Sequence, residues 1–149
     1  MALDPSFVGR TYPATPPYEV GREKIREFAT AIGDWNPAYH DEEAAKALGH
    51  PDIIAPPTFP VIVAFLATRA LIGDPQLGVD YARVVHGEQR FVYTRPVRAG
   101  DRLVAVLTVE NVRQAAGNDL LNTRSDISTV EGEPVLVAYQ VTVVRGEGK

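Results

Sequence analysis

Residues Ile32 to Asp41 put two carboxylates (Asp34 and Asp41), an amide (Asn36), a phenol (Tyr39), an imidazole (His40) and the only tryptophan, Trp35, into one short stretch. Carboxylates and imidazoles are the side chains that most often hold and move protons in catalysis, so acid–base chemistry is looked for here first. Tyr39 is a weaker candidate for a base, because an unperturbed phenol ionises near pH ~10. His40, His50 and His86 have no metal-ligand spacing, and there is no cysteine, so no metal is expected.

The elements around this stretch decide what it can reach. Ile25, Phe28, Ala29 and Ile32 recur at i, i+3, i+4 and i+7, with charged residues opposite, which predicts an amphipathic helix ending at Gly33. The candidate stretch is then a loop after that helix, pinned by Asn36-Pro37. Asp41 is placed to cap a second short helix from Glu42 to Leu48. Thr58 is placed to cap a third, from Phe59 to about Leu71, with Pro60 in its first turn. That third helix is apolar on nearly every face, from Val61 to Ala67, and needs cover on all sides.

Beyond about residue 80 the apolar period changes to two. Val84–His86, Arg90–Tyr93, Leu103–Val109, Leu120–Val130 and Pro134–Val144 read as strands, separated by short turns that favour antiparallel pairing. Thr11-Tyr12 suggests a further short strand, and residues 146–149 a frayed tail. Helices first and strands second give an α+β class. A long central helix wrapped by a curved antiparallel β-sheet is the hot-dog arrangement, here as a single domain over residues 1–149. Such a sheet keeps an edge strand that can pair with a second subunit, so a dimer is expected.

Composition removes several functions. The net charge of -4 and the absence of a Lys/Arg block argue against a nucleic-acid surface. The longest apolar run is too short to span a bilayer, and the first residues lack the basic start of a signal peptide, so a cytoplasmic protein with no membrane contact is expected.

Gly33-Asp34-Trp35-Asn36-Pro37, followed by Tyr39 and Asp41, resembles the hydratase loop of MaoC-like (R)-specific enoyl hydratases and FAS1-like (3R)-hydroxyacyl dehydratases. Ile54-Ala55-Pro56-Pro57-Thr58-Phe59 resembles the lead-in to that family's central helix. Arg95-Pro96-Val97-Arg98-Ala99-Gly100-Asp101 is similar to its core-strand turn. The likeness runs in order through the chain and extends to N-terminal-type, non-catalytic subunits. It implies a substrate that is an acyl-CoA or an acyl carrier protein thioester, no cofactor, and a homodimer or a heterodimer with a catalytic hot-dog subunit.

In active members the loop reads Gly-Asp-x-Asn-Pro-x-His. The resemblance therefore puts Asp34 at the acid–base position and Tyr39, not a histidine, at its partner's position. His40 follows one residue late and has two readings, a displaced base or a surface residue beside Asp41. Asn36, Thr58, Phe59 and Ala64 are the implied substrate-binding positions, Ala64 where active relatives carry a helical serine. Pro56 and Pro57 have no N–H, so a backbone donor to a developing oxyanion falls to Thr58, Phe59 or a neighbour. Trp35 reads as cover for the loop, and Arg90, Arg95 and Arg98 as sheet-surface charges.

Overall fold

A computed structural model describes residues 3–146. Five strands form one antiparallel, curled sheet: β1 (Tyr18–Glu19), β2 (Val84–Tyr93), β3 (Arg102–Ala115), β4 (Asn118–Thr129) and β5 (Pro134–Val144), in the order β1-β3-β4-β5-β2. Three helices, α1 (Arg22–Ala31), α2 (Glu42–Ala47) and α3 (Val61–Ile72), precede β2 in the chain. This is the expected α+β hot-dog fold, with α3 lying in the hollow of the sheet.

Strict alternation explains why β3 and β4 line the core. Leu103, Ala105, Leu107 and Val109 of β3 are buried at every second position, as are Leu121 and Ile127 of β4. α3 offers Val63, Ala64, Ala67 and Leu71 to them. The free edge of β3 is sealed by the N-terminal arm. Gly9, Tyr12 and Thr15 donate backbone N–H groups to Val109, Leu107 and Ala105, and Thr15 Oγ1 accepts the N–H of Ala105 at 3.0 Å. β2 is the opposite edge.

Several expectations need correction. Thr11 makes only an isolated bridge to Thr108, and the first strand is Tyr18–Glu19. Val84–His86 and Arg90–Tyr93 are one strand, interrupted by a bulge between His86 and Glu88. α3 begins at Val61 behind Pro60, and Thr58 is not its cap; residues 56–60 form a tight turn, with the Phe59 N–H donating to Pro56 O at 2.9 Å. Phe65 of α3 is 43% exposed, so one chain covers only part of this apolar helix. Of the expected tail, residues 147–149 lie outside the described residues. Among the described residues, no helix is long and apolar enough to cross a membrane.

Candidate functional site

The loop after α1 is built from short-range hydrogen bonds that its residue types dictate. Gly33 takes a left-handed backbone (φ 71°), which favours glycine, and the Asp34 N–H returns to Ala29 O at 2.9 Å. Asp34 Oδ1 accepts the Asn36 N–H at 3.1 Å, and Asn36 Oδ1 accepts the Ala38 N–H at 3.1 Å. Pro37–Tyr39 forms a single 3₁₀ turn. Asp41 caps α2 as its sequence position suggests, accepting the Ala44 N–H at 2.7 Å. From α1, Arg26 Nε donates to the backbone oxygen of His40 at 2.9 Å.

A chain of backbone pairs fixes this loop against the rest of the fold. The Ile54 N–H donates to Ala38 O, the Ala55 N–H to Val97 O, and the Ala99 N–H to Ile53 O. The lead-in to α3 is thus held between the loop and the 95–101 turn. That turn is locked by Arg95, whose guanidinium donates to both carboxylate oxygens of Asp101 at 2.9 Å and to Glu133 at 2.7 Å. Arg95 is a half-buried fastener and not the sheet-surface charge that its sequence position suggested.

The side chains of the loop divide into two groups. The His40 ring stacks on Trp35, centroids 5.5 Å apart and planes 20° apart, and its Nε2 lies 2.9 Å from the backbone oxygen of Asp34. A carbonyl only accepts, so Nε2 carries a proton there. Trp35 is 67% exposed and covers His40 from the solvent side. Tyr39 points inward and is buried. Burial, with the negative charge of Asp34 beside it, raises its phenol above the ordinary range. Tyr93, at the end of β2, donates its O–H to Pro57 O at 2.6 Å; burial and the neighbouring Tyr39 push its phenol up as well. Asp34, Tyr39 and Tyr93 are therefore within electrostatic reach of one another. His40 contacts the backbone of Asp34 and not its carboxylate.

The other expected residues lie in the turn before α3 and on that helix. Thr58 is exposed in the turn before α3. Phe59 is fully buried, edge-on to Phe28 at 5.4 Å and to Tyr18 at 6.4 Å. Ala64 is buried on α3, and its carbonyl accepts from Thr68 Oγ1 at 3.0 Å. Tyr93 was not among the sequence candidates. The signal that could have found it is an aromatic residue at the end of a strand, just before the Thr94-Arg95-Pro96 turn. Among the described residues, no three of His, Asp and Glu converge as metal ligands would.

Comparison with known proteins gives consistent neighbours. A family model described as the FAS1-like dehydratase domain region matches residues 6–138. A UPF0336 protein of Streptomyces coelicolor is 61% identical over 145 residues, covering 97% of both chains. A chain of the crystal structure of a C-terminally truncated HadBC (3R-hydroxyacyl-ACP dehydratase) complex from Mycobacterium tuberculosis is 35% identical. It superposes with a TM-score of 0.82 over 96% of this chain and 99% of that one. A MaoC-like dehydratase structure is 33% identical with a TM-score of 0.86; the match covers 95% of this chain and 43% of that one.

Proposed function

Because the chain belongs to the FAS1-like dehydratase domain family, we propose that it is a subunit of a (3R)-hydroxyacyl-thioester dehydratase or (R)-specific enoyl hydratase, in fatty-acid or polyketide-type metabolism. Its substrate is an acyl chain on CoA or on an acyl carrier protein. The observation that carries the reading is the division of the loop. The His40 imidazole is held by Asp34 O and Trp35, while the Tyr39 phenol is the ring that lies beside the Asp34 charge.

Dehydration removes a proton from the carbon α to the thioester carbonyl and protonates the departing 3-hydroxyl, so that water leaves and a double bond forms. Asp34 suits one of these roles. Tyr39, with its pKa raised, keeps its proton at neutral pH and is no base. The chain then carries a degenerate site, and a second hot-dog subunit carries the full Asp/His pair. Asn36 fixes the loop, and Thr58, Phe59 and Ala64 shape the region where the thioester is held. The edge strand β2, with Val85 and Val92 exposed along it, is the surface for such a subunit. The description of the Mycobacterium tuberculosis relative as a complex supports a partnered assembly.

The test is hydration of crotonyl-CoA and of a longer trans-2-enoyl-CoA by the pure chain. We expect no turnover above an Asp34→Ala control, and turnover when a catalytic hot-dog partner is co-purified. Turnover by the chain alone that is lost in Asp34→Ala and in His40→Ala would make it a stand-alone hydratase. Retention of acyl-CoA without turnover in either assembly would make it an acyl-thioester-binding protein.

A further inference from the structure

An open cavity of about 730 Å³ lies between the C-terminal half of α3 and the first residues of β2, a size that suits a small organic ligand. Its lining divides by chemistry. The walls are apolar, Phe65 and Ile72 from α3 and Val84 from β2. The floor is polar and uncharged. Thr68 Oγ1 lies 3.3 Å from the Gln140 carboxamide, the carboxamide lies 3.1 Å from Thr142 Oγ1, and the Thr68 O–H goes to Ala64 O at 3.0 Å.

The charge is at the rim. Arg69 is exposed and lies on the same face of α3 as Phe65, one turn further on. Of the lining residues it alone is permanently charged, and none is acidic. Among the described residues, no carboxylate pairs with Arg69. The nearest carboxylate in sequence, Asp74, is taken by Tyr12 at 2.7 Å and Arg10 at 3.1 Å. His86 of β2 makes a T-shaped contact with Phe65, ring centroids 5.6 Å apart. Gln89 Nε2 donates to Tyr139 O at 3.1 Å, so its Oε1 is the atom that accepts from His86 Nε2 at 3.1 Å. The imidazole is thereby tethered to the sheet, and Phe65 sits between a fixed ring and an unpaired guanidinium.

We propose that this cavity binds an apolar monocarboxylate, its hydrocarbon body along Phe65, Ile72 and Val84 and its carboxylate on the Arg69 guanidinium. The planar fork of an arginine matches a carboxylate with two parallel hydrogen bonds. A cation meets only repulsion at this rim. A phosphate monoester carries about -1.5 to -2 near pH 7, more than one guanidinium neutralises. A neutral chain can lie on the walls but gains nothing from Arg69. The site does not rest on the reading of the Asp34 loop. β2 starts at the cavity and ends with Tyr93 beside that loop, ten residues later, about 30 Å at ~3.3 Å per residue.

The test is isothermal titration of the full chain at neutral pH with octanoate, 1-octanol, butyrate and octyl phosphate. Octanoate should bind roughly tenfold more tightly than 1-octanol, as one charge-assisted pair at an exposed rim would give. Butyrate, with four fewer methylenes on the walls, should bind more than about tenfold more weakly than octanoate. Arg69→Gln, at an exposed position, should keep the far-ultraviolet ellipticity and the affinity for 1-octanol while bringing octanoate down to the level of the alcohol. In the wild-type chain, the amide resonances of Val84, His86 and Thr142 should shift on addition of octanoate. Four results would each overturn the proposal: octanoate bound no more tightly than 1-octanol, a preference that survives Arg69→Gln, octyl phosphate bound more tightly than octanoate, or resonance shifts confined to residues outside the cavity.

Discussion

Arg95 shows how much one residue can fix at a distance. Its side chain is 15% exposed and that of Asp101 6%, so two opposite charges share a nearly closed site. The bidentate geometry and the further bond from the Arg98 N–H to Asp101 Oδ2 at 3.0 Å satisfy most of the carboxylate. Removing only the cation leaves Asp101 charged, buried and short of partners, the case in which breaking a buried pair is most damaging. Arg95→Met should therefore lower unfolding stability by about 3 kcal/mol, read as a fall in the urea midpoint at unchanged slope. Because the same turn holds Ile53 and Ala55, and Ile54 holds Ala38, the loop carrying Asp34 should lose amide-exchange protection in this variant. A stability change below about 0.5 kcal/mol, the usual effect of an exposed ion pair, would show that the pair is worth no more than a surface contact.

At the scale of elements, what the sequence made legible was what short-range physics decides. The Ile25, Phe28 and Ala29 face of α1, the left-handed Gly33 after it, the Asp41 cap and the alternation of β3 to β5 all depend on neighbours within a few residues and stand in the fold, whereas Ile32, the last member of the expected stripe, caps the helix and is 50% exposed. The stretch from Asp34 to Asp41 was legible as a loop for the same reason. Where its rings point was not, since Tyr39 turns inward towards Tyr93, on a distant strand. The continuity of β2 was also hidden, because Gly87 interrupts its pattern. That glycine is a packing requirement: a Cβ there would lie 2.9 Å from Val143 Cγ2 and 3.1 Å from Val141 O, a backbone atom that the β4–β5 ladder holds in place. Gly87→Ala should push β2 off β5 and cost about 1–3 kcal/mol, with the protection of β2 amides falling before that of β3. Uniform loss of protection across all strands would mean that β2 is no separate unit.

Over the whole molecule, tyrosines tie the outlying parts to the core, and their ionisation should set the alkaline limit of the fold. Tyr12, in the N-terminal arm, donates to Asp74 beyond α3 at 2.7 Å; burial, then that bond and the Asp74 charge, raise its phenol to about 12. Tyr18 in β1, Tyr39 in the loop and Tyr93 at the end of β2 are raised first by burial. In the unfolded chain all four return to about 10. Between that value and their folded values the unfolded state binds fewer protons, so stability falls as pH rises. Asp52, Asp74 and Glu133 act in the opposite sense. Their carboxyls are lowered, by bonds to Arg22, Tyr12 and Arg95 first, so their contribution is lost as pH falls through the acid range. Stability should therefore be broad near neutrality and decline from about pH 10 upward. Absorbance at 295 nm and far-ultraviolet ellipticity, followed together, should show part of the tyrosine signal appearing only with loss of structure. In Tyr12→Phe the alkaline transition should move to higher pH, because one phenol that the folded state keeps protonated is gone. If all tyrosines instead ionise near pH 10 with ellipticity intact, these side chains are open to solvent and tie nothing together.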